Sequence, residues 1–530
     1  MHVPLILTDF LDRAVKLYGK KTAVIDGDRR LTYEEVNNRV QQLSRGLFDL
    51  SIKKGEKVAY LAPNTLEMYE GFYGVFQTGG VMTSLNTRLR PEDYIFILNH
   101  SESQVLFVDY SLYEQVKVIK DHLETVKTII VHGMDEDSNG DISYEKWLAG
   151  FSSSAVERVP LEETDIASLL YTSGTTGNPK GVMLTHRSNY LHALTTMHHL
   201  RVSDQDTLLH VLPMFHVNGW GSPFYYTANG VTQVMQRKIE PASMLENIRR
   251  EKVTVAHMAP TVLNMLIEEY ALMKEPYKLS QDMRVVIAGS APPPAFVKRI
   301  EEDLGWEFVQ VYGMTETSPL VSTSIPLSEQ NGIDSESLHR LKAKQGYQMI
   351  GTDLRVFDEN GEDVPRDGKT AGELAVRSNN VMEGYWKNLE ATRATIREGY
   401  LYTGDMANVD ADGYVEIVDR KKDVIISGGE NISSIEVEGC LYDHPAVLEA
   451  AVVSVPHEKW GEVPHAIVVL REKDGATEEE LMEFARTHLA RFKVPKGITF
   501  TEELPKTASG KIQKVQLRKP FWEGKDRFIN

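Results

Sequence analysis

At 530 residues the chain is too long for a single core, so roughly two to four globular units are expected. Apolar residues make up 42% and charged residues 25%, which excludes a disordered chain and a mostly membrane-embedded one. A net charge of −18 excludes a general nucleic-acid binder, and the single cysteine, Cys440, excludes an internal disulfide and a multi-cysteine metal site.

The N-terminal MHVPLILTDFLDRAV has an apolar run without a basic flank, and Asp9 interrupts it, so it does not read as a signal peptide. The longest apolar stretches, residues 71–82 and 215–235, are broken by Gly, Pro, Asn and His and do not read as membrane spans. A soluble, cytoplasmic protein is expected. KVAYLAP (57–63) reads as a strand and LEMYEGFYGVFQTG (66–79) as a helix closed by glycine. QVLFVD (104–109), KTIIVHG (127–133) and IASLLYT (166–172) read as further strands, with a helix starting near Thr185. TLLHVLP, VTVAHMAP and MRVVIAGSAPP repeat the theme, each beside a helical pattern. This alternation predicts α/β architecture with parallel sheets whose strands end on Gly- and Pro-rich turns, where such folds place ligands.

From about residue 350 the texture changes to short strands and Asp-Gly turns, DENGEDVPRDG and VDADGYVEIVD, a small β-rich unit. After DRKKD (419–423) it changes again. A helix capped by Ser433 with Glu436, a strand, the helix TEEELMEFARTHLA and a strand near GITFTEEL make a compact α+β unit. The expected organisation is an N-terminal domain over 1–421, with subdomains of about 1–165, 166–345 and 346–421, and a C-terminal domain over 422–530.

YTSGTTGNPKG (171–181) packs glycines, hydroxyls and one lysine between the strand 166–172 and the helix expected near Thr185. A Gly-rich turn in that setting wraps phosphate, because bare backbone N–H groups can close on the oxygens. The Walker A pattern fails: from Gly174 the second glycine should fall at 179, which is Pro179, and Lys180 is followed by Gly181. The stretch is therefore a phosphate loop of another kind or a flexible turn.

VYGMTET (311–317), YLYTGDMA (400–407), DRKKDVIISGGENIS (419–433) and PKTASGKIQK (505–514) follow in order. Together with the opening loop they resemble, over essentially the whole chain, the adenylate-forming family of acyl-CoA synthetases, firefly luciferase and peptide-synthetase adenylation domains. PMFHVNGW (213–220) and KAKQGYQMIGTDLRVFD (342–358) resemble its medium- and long-chain fatty acid–CoA ligase branch.

The resemblance implies two half-reactions: a carboxylate attacks ATP to give an acyl-adenylate and pyrophosphate, and the CoA thiol then displaces AMP. Both steps concentrate negative charge, so cations, backbone N–H groups and Mg²⁺ should carry the catalysis. It implies a pyrophosphate cradle of Thr172, Ser173, Gly174, Thr175, Thr176, Gly177 and Lys180, and a Mg²⁺ site of Glu316 with Thr172. Tyr312 would stack on adenine, opposite Gly289, Ser290 and Ala291. Gln310, Val311, Gly313, Met314 and Thr315 would line the nucleotide, with Thr315 beside the phosphates. Asp405 would hold the ribose hydroxyls with help from Arg420.

Lys511 would bridge the substrate carboxylate and ribose, Lys422 would be the hinge of a mobile C-terminal domain, and Gly428 and Gly429 would line the pantetheine tunnel. Lys511→Ala should then remove adenylate formation and leave CoA attack on supplied acyl-AMP. His216 and Trp220 match the substrate gate, with His257 and Thr261 on the acyl-pocket wall. Lys421, Lys493, Lys496 and Lys514 read as solvated surface cations, with contact to the CoA phosphates as the alternative. The expected partners are a small carboxylic acid, ATP and CoA; some members of the branch are homodimers, and the sequence leaves that open.

A ligase for a thioether, short-chain or aryl acid is the second reading. Carrier-protein loading is disfavoured because residues 215–221 hold no Asp to anchor an amino group. A non-enzymatic lipid binder is disfavoured by the retention of Lys180, Glu316, Asp405 and Lys511.

Overall fold

The computed structural model describes residues 1–138, 140–172, 178–273, 283–288, 292–330, 332–428, 430–506 and 512–523. Two large sheets form most of it. The first runs in the order Tyr347–Gln348, Leu320–Thr323, Glu307–Gly313, Arg284–Ile287, Val255–Met258, Thr207–His210, Thr232–Met235, Thr22–Asp26, Arg29–Thr32. Its strands are parallel from Glu307–Gly313 to Thr22–Asp26 and antiparallel at both edges.

The second sheet runs Gly384–Tyr385, Lys180–Thr185, Ile166–Thr172, Val81–Ser84, Lys57–Leu61, Ser103–Asp109, Thr128–His132, Ile142–Ser143. It is parallel except at its first two pairings. Helices fill the sheet faces, as the strand–helix alternation predicts.

The helix Leu66–Gln77 touches strands of both sheets and is buried at every residue; its sequence is mostly apolar, and its carboxylates Glu67 and Glu70 are paired with Arg29 and Arg39. Thr65 caps its start by accepting the Met68 N–H, and Gly79 at φ +75° ends it in a left-handed turn. A third, antiparallel sheet holds Thr352–Phe357, Gly372–Ser378, Tyr400–Val409 and Val415–Arg420. Beyond residue 422 lies a mixed sheet built on the hairpin Val447–His457/Gly461–Leu470, flanked by the helices Ser434–Tyr442 and Glu478–His488.

Three features differ from the sequence reading. The Gly-rich stretch does not join a strand to a helix: Lys180–Thr185 is itself a strand, antiparallel to Ile166–Thr172 with Thr172 opposite Lys180. The short run Val182–Met183–Leu184 finds its partner across the hairpin, which local periodicity does not reveal. The division near residue 165 does not coincide with a change of sheet, because Ile166–Thr172 extends the sheet formed by residues 57–143. A further helix, Lys514–Trp522, follows the PKTASGKIQK motif.

Candidate active site

Lys180, Tyr312, Glu316, Asp405 and Arg420, from four of the sequence motifs, lie where the first sheet, the second sheet and the small antiparallel sheet meet. Thr172 ends its strand half-buried, directly across from Lys180. The strand Glu307–Gly313 buries Gln310 and Val311 and presents Tyr312. Gly313 admits no side chain: a Cβ there would stand 1.9 Å from the Pro319 carbonyl oxygen. The chain then enters a short 3-10 turn, Thr315–Thr317, which buries Thr315 and Glu316 behind a half-buried Met314.

Two hydrogen-bonded groups define the chemistry. Tyr312 donates its hydroxyl to Asp405 Oδ2 at 2.5 Å, and Arg420 Nε meets Asp405 Oδ1 at 2.7 Å. Asp405 and Arg420 are register partners on adjacent strands, so the sheet itself aligns them. Asp405 is only 2% exposed, and each oxygen keeps acceptor capacity for a further donor. Burial and the Asp405 charge push the Tyr312 phenol up, so it stays a donor at neutral pH.

In the second group, Glu316 accepts the Tyr385 hydroxyl on Oε1 at 2.8 Å, and the Lys180 ammonium lies 4.9 Å from the centroid of the same tyrosine ring. Burial pushes the Glu316 carboxyl up, opposed by the Tyr385 hydrogen bond and the charges of Arg420 and Lys180. A buried carboxylate with one neutral hydrogen-bond donor suits a hard cation. Among the described residues no three His, Cys, Asp or Glu side chains gather around one point. That fits Mg²⁺, which is commonly held by one or two carboxylates and substrate phosphates rather than by an all-protein cage.

After the strand Thr207–His210, Val217, Asn218, Gly219, Trp220 and Gly221 all have positive φ, from +45° to +74°. A left-handed turn of this length costs about 1–2 kcal/mol at each non-glycine residue, and it is held by Asn218 Nδ2 donating to Ser168 Oγ at 2.8 Å. The turn drives Trp220 to 6% exposure, 5.7 Å ring to ring from His257. His257 shares a 2.9 Å hydrogen bond with the Tyr226 hydroxyl, and burial, with smaller contributions from His210, Arg284 and His192, lowers its pKa to about 3. His216 and Thr261 are half-buried alongside.

At the domain junction Lys422 is exposed. Gly428 sits at φ +61°, with the Trp460 ring 2.5 Å from where a Cβ would stand. Lys514 departs from the reading as a solvated cation: its side chain is 16% exposed, 2.6 Å from Glu438 and bonded to Ser434 Oγ. Ser434 in turn donates to Asp419, so this cluster ties the strand Val415–Arg420 to the helix Ser434–Tyr442. Ser173, Gly174, Thr175, Thr176, Gly177, Gly289, Ser290, Ala291, Gly429 and Lys511 lie outside the described residues.

Sequence reasoning missed Tyr385. Its signal was the dipeptide Gly384–Tyr385, which pairs with the strand carrying Lys180. An isolated two-residue strand leaves no periodicity to read.

A buried carboxylate on a tyrosine hydroxyl, an Asp–Arg pair aligned by sheet register and a hairpin lysine are compatible with an adenylate-forming enzyme. Residues 11–386 match the model of the AMP-binding enzyme family, and residues 436–511 that of the AMP-binding enzyme C-terminal domain. The chain belongs to the AMP-binding enzyme family. It is 40% identical to a long-chain-fatty-acid–CoA ligase of Thermus thermophilus, over 98% of this chain and 96% of that one. It is 38% identical to a peroxisomal trans-cinnamate:CoA ligase of Petunia hybrida, over 98% and 94%. A crystallised anthranilate CoA ligase in complex with anthranoyl-AMP superposes with a TM-score of 0.88 at 28% identity, over 98% of each chain. The chain is an AMP-forming acid–CoA ligase that uses ATP, Mg²⁺ and CoA with a small-molecule acid. No helix among the described residues is long and apolar enough to cross a membrane.

Proposed function

We propose that the acid is a fatty acid, activated as its adenylate and passed to CoA. The observation that carries this reading is a group of buried rings without charge at the expected gate: Trp220 and Tyr226 pack on His257, whose pKa burial lowers to about 3. Such rings accept an apolar tail and give no partner to a second carboxylate or an ammonium. The same rings favour a second reading. Trp220, Tyr225 and Tyr226 are packed tightly against His257, which suits a short-chain or flat aryl acid.

In the proposed mechanism Asp405 and Arg420 fix the ribose, Tyr312 and the strand around it hold the base, and Lys180 with Thr172 and the 173–177 loop grips the pyrophosphate. Glu316 and Thr172 would hold Mg²⁺, which neutralises phosphate charge when bound. The enzyme's part is orientation: the phosphates are aligned for the attacking carboxylate, and the developing charge meets cations already in place. Lys511 serves the first half-reaction. Gly428 and Gly429 clear the path of the thiol in the second, after rotation about Lys422. A cytoplasmic setting belongs to the same proposal, in keeping with a single, buried cysteine.

Pyrophosphate release with MgATP, measured against acids from acetate to oleate plus benzoate, cinnamate and thioether acids, with and without CoA, tests it. A CoA-dependent maximum at medium or long chains supports the fatty-acid reading. A maximum at four carbons or at aryl acids replaces it with the second reading.

A further inference from the structure

The segment around Tyr385 is fastened to both sides of the candidate site. Its neighbours Glu383 and Trp386 donate backbone N–H groups to Met183 and Gly181, at 2.9 and 2.7 Å, on the strand that begins with Lys180. Met382 N–H donates to the backbone carbonyl of Glu316 at 2.8 Å. Thr392 Oγ1 accepts the Tyr385 N–H at 2.9 Å, and Gly384 keeps that threonine close: at φ +150°, a Cβ on residue 384 would stand 2.9 Å from Thr392 Cγ2. Trp386 Nε1 donates to the His100 carbonyl at 3.0 Å, and Lys57 lies 3.8 Å over the indole. These contacts leave Tyr385 7% exposed and hold it in place, with its hydroxyl on Glu316 and its ring face toward Lys180.

We propose that Tyr385 is a positioning residue for the phosphate end of the nucleotide site: its hydroxyl orients the Glu316 carboxylate, and its ring seats the Lys180 ammonium. The two groups assigned to metal and pyrophosphate thus share one support. A carboxylate fixed by a hydrogen bond presents its second oxygen in one direction, and partners of this kind change metal affinity by about 10- to 100-fold when removed. The ring face offers the ammonium a cation–π contact that does not neutralise it, so it remains available to phosphate. This inference rests on the proposed roles of Glu316 and Lys180.

The test compares binding of ATP with Mg²⁺ and ATP with EDTA, by calorimetry on the whole protein, alongside the melting temperature. Tyr385→Phe removes only the hydroxyl; it should weaken MgATP binding about tenfold and leave ATP–EDTA binding and melting unchanged. Tyr385→Leu removes the ring as well and should also weaken ATP–EDTA binding, because Lys180 loses its seat. MgATP affinity unchanged in Tyr385→Phe overturns the inference. So does an equal loss with and without Mg²⁺ accompanied by lower melting, which marks a purely structural tyrosine. Glu316→Gln separates the two levels: if it binds MgATP as the parent does, the underlying site assignment is wrong, whatever Tyr385→Phe shows.

Discussion

The protein has two clusters of buried charge near the ends of parallel strands, and they are built differently. One is the candidate site of Glu316, Tyr385, Asp405 and Arg420, on either side of the cleft proposed for the nucleotide. The other lies around the central helix Leu66–Gln77, where Arg29 meets Glu67, Arg39 clamps Glu70 at 2.7 and 2.9 Å, and Arg237 grips Asp26 at 2.9 and 3.0 Å. His132 lies 3.3 Å from Asp109 in the same cluster. Burial raises the Glu67 carboxyl, but His132 and Arg29 more than reverse it and lower it to about 2. In this cluster each carboxylate meets a basic side chain of the protein itself. In the cleft, the only side chain hydrogen-bonded to Glu316 among the described residues is a neutral tyrosine, and Asp405 sits beside a half-exposed arginine. Shifted carboxyl groups occur in both, so a shift does not mark the active site.

That contrast can be broken experimentally, beginning where the effect is largest. Arg39→Met leaves Glu70 buried without its guanidinium and should cost about 3–5 kcal/mol of stability in denaturant unfolding, with nucleotide affinity of the folded protein unchanged. Lost affinity at unchanged stability would show that the two clusters are not separate. Asp405→Ala should do the reverse, lowering kcat/KM for pyrophosphate release about a hundredfold, or about 3 kcal/mol, with a smaller stability loss.

Acid should find a third region, the buried histidines. Burial is the main cause that lowers His192 and His257 to about 3 and His186 and His210 to about 4. A histidine depressed in the fold stabilises it above its unfolded pKa, and that contribution is lost as pH falls. Unfolding free energy should therefore drop between pH 6.5 and 4 by about 1.4 kcal/mol per pH unit for each such histidine. A flat stability profile from pH 7 to 5 would show that these rings are solvated. The smallest effect is expected at the exposed pair Arg340–Glu336, where Arg340→Ala should change stability by less than about 0.5 kcal/mol in the same unfolding assay.

The strands at 57–63, 104–109, 127–133 and 166–172 were legible because apolar runs bounded by turns must be buried, whatever surrounds them. So was the helix Glu478–His488, whose cap Thr477 and Glu480 close a capping box on each other. The roles expected of Tyr312, Glu316, Asp405 and Arg420 came from the resemblance to the adenylate-forming family; the structure adds that Tyr312, Asp405 and Arg420 meet and that Glu316 is buried. The hairpin character of the 171–181 stretch was not legible, because the pairing of Lys180–Thr185 depends on a strand that only the sheet supplies.

The sequence by itself determined the strand and helix segments, the charge balance and the identity of the chemical groups, since each depends on a residue and its near neighbours. Only the tertiary structure decided which of those groups meet. Asp405 and Arg420 are paired by sheet register, Tyr385 reaches Glu316 across 69 positions, and Lys514 is buried against Glu438 rather than solvated. Contacts so far apart in sequence are set by the packing of whole sheets, and no local pattern encodes them.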